Sequence, residues 1–328
     1  MGDERKSRLD LTAGLLLLGC CAIWGLGQVA VKLTLAEVPP LLQSAVRSAG
    51  AALLLLVWMR WRGQPLWQVA ATWRGGLLAG ALFAAEFASM FCGLQFTSAS
   101  RMVVFLYTAP FVVALGMPFI ARSERLTAWQ GVGLACAFGG VVWAFAEGFS
   151  ATAAGPRQWL GDALGIFAAA MWGATTLVMR GSALARASAE MALLYQLAVS
   201  ALVLGAAGLI AGENWPATPR PATWALLAFQ TVVITFVTYL IWFWLVRHYP
   251  ATQISVFTLL TPIFGLLAGA GLLGEPLTMR LVVALAAVCG GIWLVSTRGA
   301  AAARKAGEAM TAGKAGKAAT GSALSRRA

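Results

Sequence analysis

Glu86 is the residue whose position most strongly predicts chemistry. It is the only charged residue between Arg74 and Arg101, and it lies in the middle of the apolar stretch GALFAAEFASMFCG. If this stretch crosses a membrane, a carboxyl group is costly to hold there and is by default functional. Ionised, Glu86 could pair with the amine of a small molecule; protonated, it could carry a proton. The competing interpretation is a carboxyl group that hydrogen-bonds to a neighbouring helix and stabilises packing.

Further candidates are aromatic and polar residues inside apolar stretches. Trp24 and Gln28 lie four residues apart, and Trp172 and Thr176 repeat that spacing later in the chain. A tryptophan face beside a hydrogen-bonding side chain suits an organic solute, above all a cationic or aromatic one. Packing is the alternative, because the glycine after each tryptophan lets a neighbouring backbone approach closely. Weaker candidates of the same kind are Met90, Tyr107, Thr238, Tyr239 and Trp242.

Three basic residues lie near the ends of apolar stretches, namely Lys32, Arg47 and Arg101. We expect Lys32 to extend its amine into the interface. Arg47 and Arg101 could line the entrance of a cavity or bind a carboxylate with two hydrogen bonds. Neither a metal site nor a cofactor is predicted, because the five cysteines lack metal-ligand spacing and the chain has one histidine.

The elements that must position these residues are membrane-spanning helices. Of the 328 residues, 60% are hydrophobic and 11% are charged, against roughly 25% charged in soluble domains. This composition excludes a soluble enzyme and a nucleic-acid-binding domain despite the net charge of +12. Runs long enough to cross a bilayer predict ten spans, at about 11–31, 40–59, 75–95, 99–120, 128–147, 160–180, 189–211, 222–246, 252–273 and 279–297.

The distribution of basic residues predicts the orientation of these spans. An even number of spans places both termini on one side. With that side cytoplasmic, cytoplasmic segments hold 18 Lys and Arg residues and the opposite segments hold 6, as the positive-inside rule requires. Residues 1–10 then form a cytoplasmic N-terminus, and residues 298–328 form a disordered basic cytoplasmic tail.

An internal repeat relates the two halves of the chain. AIWGLGQVAVK (22–32) matches AMWGATTLVMR (170–180), and ASRMVVFLYTAPF (99–111) matches ATQISVFTLLTPI (251–263). The repeats cover 11–147 and 160–297, with a linker at 148–159. Because each repeat holds an odd number of spans, the second must enter the membrane inverted. Inverted repeats are typical of transporters whose binding site lies at the repeat interface.

The repeat also predicts which residues face that interface. At an offset of 152, Glu86 pairs with Thr238 and Met90 pairs with Trp242. Thr238 belongs to a polar stripe at helical spacing, which should face protein or water rather than lipid. Glu86 is therefore expected to face inward. Pro110 and Pro262 also pair, and we predict that they kink their helices around a central cavity.

These features resemble the EamA-like family of the drug/metabolite transporter superfamily. The resemblance is carried by the five-plus-five repeat, by a Trp-Gly pair in the first span of each half, and by Pro262 followed by Gly274-Glu275-x-Leu277-Thr278. The first half departs from this pattern, with Ser123-Glu124 in place of Gly-Glu. The resemblance covers about residues 11–297 and implies an inner-membrane carrier, most often an exporter of amino acids or related metabolites.

We therefore expect an all-α polytopic membrane protein with ten transmembrane helices in two inverted five-helix repeats. It should act as a secondary transporter of the bacterial inner membrane that exports amino acids or amines by alternating access, with proton coupling as an option. Its expected partners are a small-molecule substrate and the lipid bilayer, and no nucleic acid. A homodimer is a further possibility. No enzyme activity is expected, because His248 lacks carboxylate neighbours in the sequence. The alternatives are an uncoupled channel-like facilitator and a membrane assembly subunit without transport activity.

Overall fold

The protein is described by a computed structural model that covers residues 10–64, 69–120, 128–150, 155–249, 258, 260–291 and 293. Regular structure in these residues is helical. The helices are α1 (Leu11–Thr34), α2 (Pro40–Trp61), α3 (Val69–Gly93), α4 (Ala99–Leu106), α5 (Ala109–Ile120), α6 (Ala128–Ser150), α7 (Gln158–Gly181), α8 (Ala189–Ile210), α9 (Pro221–Ala228), α10 (Thr238–His248), α11 (Leu260–Leu273) and α12 (Met279–Gly291).

Within the described residues, ten apolar helical segments overlap the ten predicted spans. Seven are long and apolar enough to cross a membrane, and three shorter apolar segments lie in α6, α11 and α12. One predicted span, 99–120, consists of α4 and α5; another, 222–246, runs through α9 and α10. The predicted all-α fold class is confirmed, and the chain is a multi-pass membrane protein. The N-terminal residues 1–9, residues 151–154 of the predicted linker and the basic tail lie outside the described residues.

Local sequence explains where several helices begin. The Asp10 carboxylate accepts a hydrogen bond of 2.9 Å from the backbone nitrogen of Ala13 and so caps α1. Pro40 opens α2 at a position where the missing N–H costs nothing. Ser98 and Ser188 cap α4 and α8 through their hydroxyl groups. These caps satisfy backbone groups that a membrane cannot hydrate.

The fourth span is broken close to Pro110. Helix α4 ends at Leu106, and α5 begins at Ala109. A proline at position 110 has no N–H with which to reach the Leu106 carbonyl four residues earlier, so the ordinary hydrogen-bond ladder is interrupted at this point. The hydroxyl of Thr108 donates to the carbonyl of Phe105 at 2.7 Å within the break. Pro262 lies in the first turn of α11, and residues 251–257 before it are outside the described residues.

The eighth span contains a π-helical segment, Phe229–Val237, between α9 and α10. We did not predict this segment, and no proline or glycine occurs within it. The Thr235 hydroxyl donates to the carbonyl of Gln230 at 2.8 Å, a separation of five residues that suits a π-helix. Threonine hydroxyls thus help to satisfy carbonyls where the ordinary helical ladder is altered. π-Helical turns often occur beside functional sites.

The two halves pack with pseudo-twofold symmetry. Helix α1 packs against α11, as its counterpart α7 packs against α4 and α5. Helix α2 packs against the π-helical segment, as α8 packs against α3, while α2 and α8 contact each other directly. Helix α3 packs against α7, as the eighth span packs against α1. The interface between the repeats therefore forms the centre of the bundle, where a transporter of this architecture places its site.

Gly25 allows α1 to contact α11 closely. A β-carbon at Gly25 would lie 2.6 Å from the backbone nitrogen of Gly265 and 2.7 Å from the β-carbon of Phe264. A β-carbon on the repeat-related Gly173 would lie 2.5 Å from the β-carbon of Val112. The glycine of each Trp-Gly pair thus allows close helix packing, which is the alternative that the sequence offered for these pairs.

We expect Gly25→Ala to lower the free energy of unfolding by about 1–3 kcal/mol, because the added methyl must displace backbone. Thermal unfolding of the purified protein, followed by tryptophan fluorescence, measures this loss. Gly19→Ala is the matched control on the same helix, because a β-carbon added there would meet no atom of a neighbouring helix within 4 Å. Equal melting temperatures for the two variants would contradict the close contact.

Candidate functional site

Two oppositely charged residues are buried at the centre of the bundle. Arg47 on α2 is 4% exposed, and Glu86 on α3 is 5% exposed. They interact electrostatically, yet the two do not form an ion pair. The Nε and Nη2 atoms of Arg47 and the Oε2 atom of Glu86 have no hydrogen-bond partner within the described part of the chain. Buried charges in proteins are normally paired, so this arrangement needs an explanation.

The surroundings of Arg47 suit an anion. Its guanidinium lies 4.0 Å from the ring centroid of Phe87 and 5.1 Å from that of Phe91. Ser44 lies one turn before Arg47 on the same face of α2, and Ser48 directly follows Arg47 in the chain. Their buried hydroxyls also lack partners among the described residues. One charged and two neutral donors are thus oriented on α2 without an acceptor.

Aromatic residues of α1 and α10 form a second side of the site. The indole Nε1 of Trp24 donates to the Thr238 hydroxyl at 2.7 Å. The Trp24 ring lies 5.5 Å from that of Trp242 and 6.4 Å from that of Tyr239, measured between centroids. Tyr239 lies within electrostatic range of Glu86 and Arg47. This aromatic wall, formed by Trp24, Tyr239 and Trp242, therefore adjoins the charged pair.

Four further predicted residues line the interface between the repeats. The amide of Gln28 donates to the sulfur of Met90 at 3.3 Å, while its Oε1 atom has no partner in the described structure. Tyr107, at the break between α4 and α5, packs edge-on against Trp172 with centroids 5.8 Å apart. Tyr107 also lies within electrostatic range of Tyr239. Most of the predicted residues are thus brought together from six spans of the two repeats.

Two predicted residues form their polar contacts with partners inside the protein. Arg101 is buried in a bidentate ion pair with Asp162, with its Nη2 atom 2.6 Å from a carboxylate oxygen. It also lines a cavity of about 370 Å³ at one end of the bundle, away from the central charges. The Thr176 hydroxyl donates to the carbonyl of Trp172 at 3.1 Å, within its own helix.

Sequence reasoning missed several residues of this arrangement. Asp162 is an ionisable residue within a predicted span, so the rule that selected Glu86 would also have selected Asp162. Ser44 lies three residues before Arg47 and four before Ser48, a spacing that places Ser44 beside both on α2. By contrast, the contact of Arg47 with the rings of Phe87 and Phe91 depends on how α2 packs on α3, which no local pattern indicates.

The arrangement combines charged, polar and aromatic groups. Arg47 and Glu86, each with at least one buried atom that lacks a hydrogen-bond partner among the described residues, lie near each other beside aromatic rings. Such a site complements a molecule that carries both a carboxylate and an ammonium group. Among the described residues, no group of His, Cys, Asp and Glu side chains could hold a metal ion.

Comparison with known proteins adds four findings. The model of the EamA-like transporter family matches residues 11–146 and 159–297. The uncharacterized transporter YvbV of Bacillus subtilis is 25% identical, over 87% of this chain and 91% of its own. The uncharacterized transporter sll0355 of Synechocystis sp. is 27% identical, over 91% of this chain and 94% of its own. A crystal structure at 18% identity, covering 87% of this chain and 97% of that chain, has the same fold with a TM-score of 0.63.

Proposed function

This chain belongs to the EamA-like transporter family, and on that premise we propose that it is a secondary carrier for a small zwitterion. The substrate carries both an ammonium and a carboxylate group, as amino acids do. The carrier binds it at the centre of the bundle and exports it across the bacterial inner membrane by alternating access. The distribution of basic residues supports this orientation, with both termini in the cytoplasm.

The single observation that carries the proposal is the buried pair Arg47 and Glu86: Nε and Nη2 of Arg47 and Oε2 of Glu86 lack hydrogen-bond partners in the described structure. Each charge is costly to bury alone. A bound zwitterion supplies the missing partner of both. Its carboxylate accepts hydrogen bonds from Arg47 and from the hydroxyls of Ser44 and Ser48. Its ammonium group donates to Glu86.

The identity of the substrate as a zwitterion, rather than a simple amine, follows from this pairing. An amine would satisfy Glu86 and leave Arg47 buried without an acceptor. A simple carboxylate would satisfy Arg47 and leave Glu86 without a donor. The aromatic wall contributes apolar contact to the remainder of the substrate and attracts its ammonium group through the ring faces. Gln28 donates to Met90 and, within the described residues, keeps its amide oxygen available for one further polar contact.

Counterflow into proteoliposomes tests the proposal. Liposomes are preloaded with an unlabelled amino acid mixture, and uptake of the labelled amino acids is compared with that of their decarboxylated and deaminated analogues. We expect zwitterions to exchange at least about tenfold faster than either analogue, because each analogue forfeits a charge-assisted hydrogen bond. Protein-free liposomes provide the background.

Three outcomes would contradict the proposal in different ways. If amines exchange as fast as amino acids, Glu86 alone defines the site and Arg47 does not bind substrate. If labelled zwitterions enter equally fast without an internal counter-substrate, the protein is an uncoupled facilitator. Absence of any exchange, together with absence of binding to the purified protein, would remove the carrier function itself.

A further inference from the structure

One end of the bundle is held together by carboxylates that cross between the repeats. We call it the Lys32 end; it contains the loops after α1, α3, α8 and α11 and the start of α7. Four carboxylates have described contacts there: Glu37, Asp162, Glu213 and Glu275. Each binds donors that belong to the opposite repeat. We call these four residues and their donors the carboxylate lock.

Glu275 joins the loop before α12 to the first repeat. Its carboxylate accepts from the backbone nitrogens of Ala99 and Ser100 at 2.7 and 2.9 Å, and from the Ser100 hydroxyl at 2.7 Å. The carboxylate therefore caps α4 from another part of the chain, where the helix dipole favours a negative charge. The Lys32 amine lies 3.6 Å from the same carboxylate and donates to the carbonyl of Thr97 at 2.5 Å.

Asp162 joins the start of α7 to α4. Both of its carboxylate oxygens accept from the Nε atom of Arg101, at 3.1 and 3.2 Å. The Thr97 hydroxyl donates to it at 2.6 Å, and Arg101 also donates to the carbonyl of Ala144 at 2.5 Å. Asp162 and Arg101 are both buried. This is the part of the lock that water reaches least, so its electrostatic attraction is screened least.

The other two carboxylates complete the closure. Glu213 caps α2 by accepting from the backbone nitrogens of Leu41 and Leu42 at 3.2 and 2.8 Å. Glu37 accepts from the Thr223 hydroxyl at 2.7 Å and from the backbone nitrogen of Arg220 at 2.9 Å, and it also pairs with the Arg220 guanidinium. If the repeats move apart at this end, all of these bonds must break.

The sequence repeat shows that the buried part of the lock is not mirrored. At the repeat offsets of 148 and 152, Asp162 corresponds to Gly14 and Arg101 corresponds to Gln253. A glycine and a glutamine cannot form an ion pair. Lys32 does have a basic counterpart in Arg180. The positions equivalent to Arg101 and Asp162 therefore cannot reproduce this ion pair at the other end.

We propose that the carboxylate lock holds the Lys32 end closed in the resting carrier, and that its release is the step that opens this end. The unmirrored pair of Arg101 and Asp162 makes closure of the Lys32 end more stable than closure of the opposite end. In the predicted orientation, the resting carrier is then closed to the outside and loads from the cytoplasm. This inference rests on the proposed carrier function in one respect: a carrier must open each end of the bundle in turn.

Electron paramagnetic resonance of two spin labels tests the lock in nanodiscs without any substrate. The five native cysteines are replaced by alanine, and labels are attached at Leu33→Cys and Leu277→Cys, two exposed positions that flank Lys32 and Glu275. The resting protein should show dipolar broadening from two close labels. In Glu275→Gln, and in the double variant Arg101→Gln/Asp162→Asn, we expect the open fraction without broadening to rise about tenfold.

Glu190→Gln is the matched control. Glu190 lies at the other end of the bundle and accepts from the amide of Gln64 at 3.1 Å, so the broadening should remain as in the parent protein. Unchanged broadening in both lock variants would overturn the proposal. An equal loss of dipolar broadening in Glu190→Gln would also overturn it, since that result would indicate that any such substitution destabilises the whole bundle. Because no substrate is used, failure of the counterflow experiment would leave this result unaffected.

Discussion

Glu86→Gln is expected to lower counterflow of a zwitterionic substrate by about thirtyfold or more. Truncating one partner of a buried, charge-assisted contact costs about 2–5 kcal/mol, and about 1.4 kcal/mol corresponds to a factor of ten. Glutamine has almost the same shape as glutamate, so the packing of α3 should be preserved. The measurement is the initial rate of exchange in proteoliposomes at several substrate concentrations.

The pattern of loss distinguishes binding from packing. If Glu86 binds the ammonium group of the substrate, Glu86→Gln should lower the exchange rate of amino acids strongly and that of their deaminated analogues little. Arg47→Lys should lower the exchange rate of amino acids strongly and that of their decarboxylated analogues little. Lysine keeps the charge but cannot offer the two parallel hydrogen bonds of a guanidinium to a carboxylate. If the Glu86 carboxyl group has only a structural role, its replacement would instead lower the exchange rates of all substrates together. It would also lower the amount of folded protein.

The same variant tests whether Glu86 carries a proton. Glutamine does not titrate, so any dependence of the exchange rate on pH that arises from Glu86 should disappear. Arg47 and Tyr239 are the groups that act electrostatically on this carboxyl, and both remain in the variant. Glu190→Gln serves as the control, since it makes the same chemical change away from the site. Parental rates with parental pH dependence would remove Glu86 from the mechanism.

Asp162→Asn is expected to cause the largest loss of stability. The substitution leaves the Arg101 guanidinium buried without its counter-charge, which in other proteins costs about 3–5 kcal/mol. We expect a much lower melting temperature and reduced yield of folded protein in detergent. Tryptophan fluorescence during heating provides the measurement.

The double variant Arg101→Gln/Asp162→Asn separates this cause from general disruption. Removing both charges leaves no ion buried at this position, so the double variant should be more stable than Asp162→Asn alone. Glu37→Gln is a second comparison, since its partner Arg220 is largely exposed and such pairs contribute about 1 kcal/mol or less. Additive losses at positions 101 and 162 would contradict a buried, coupled pair.

Much of the fold could be predicted because its signals are local. A membrane span requires about 20 apolar residues, so the number and approximate position of the helices follow from composition along the chain. The inverted repeat follows from matching residues such as Trp24 with Trp172. Boundaries were less accurate: α6 continues to Ser150 and α7 begins at Gln158, within the segment predicted as a linker. The π-helical segment of the eighth span was not anticipated.

Two arginines show where prediction from sequence stops. Arg47 and Arg101 received the same interpretation, because each lies in an apolar stretch near the same predicted end of its span. In the structure, Arg101 is paired with Asp162, while two nitrogens of Arg47 have no partner in the described part of the chain. The pairing of Arg101 depends on Asp162, which is 61 positions away in the chain and on another helix. The periodicity of the sequence cannot indicate such a contact.

The sequence by itself determined that this protein spans a membrane, that its halves are inverted repeats, and that Glu86 is an exceptional charge within the membrane. These properties depend on the cost of placing each residue in lipid, which is a property of the residue and its near neighbours. Only the tertiary structure decided which buried charges are neutralised within the described residues and which keep atoms without a hydrogen-bond partner there. Neutralisation requires a partner within a few ångströms, and that distance is set by how distant helices pack.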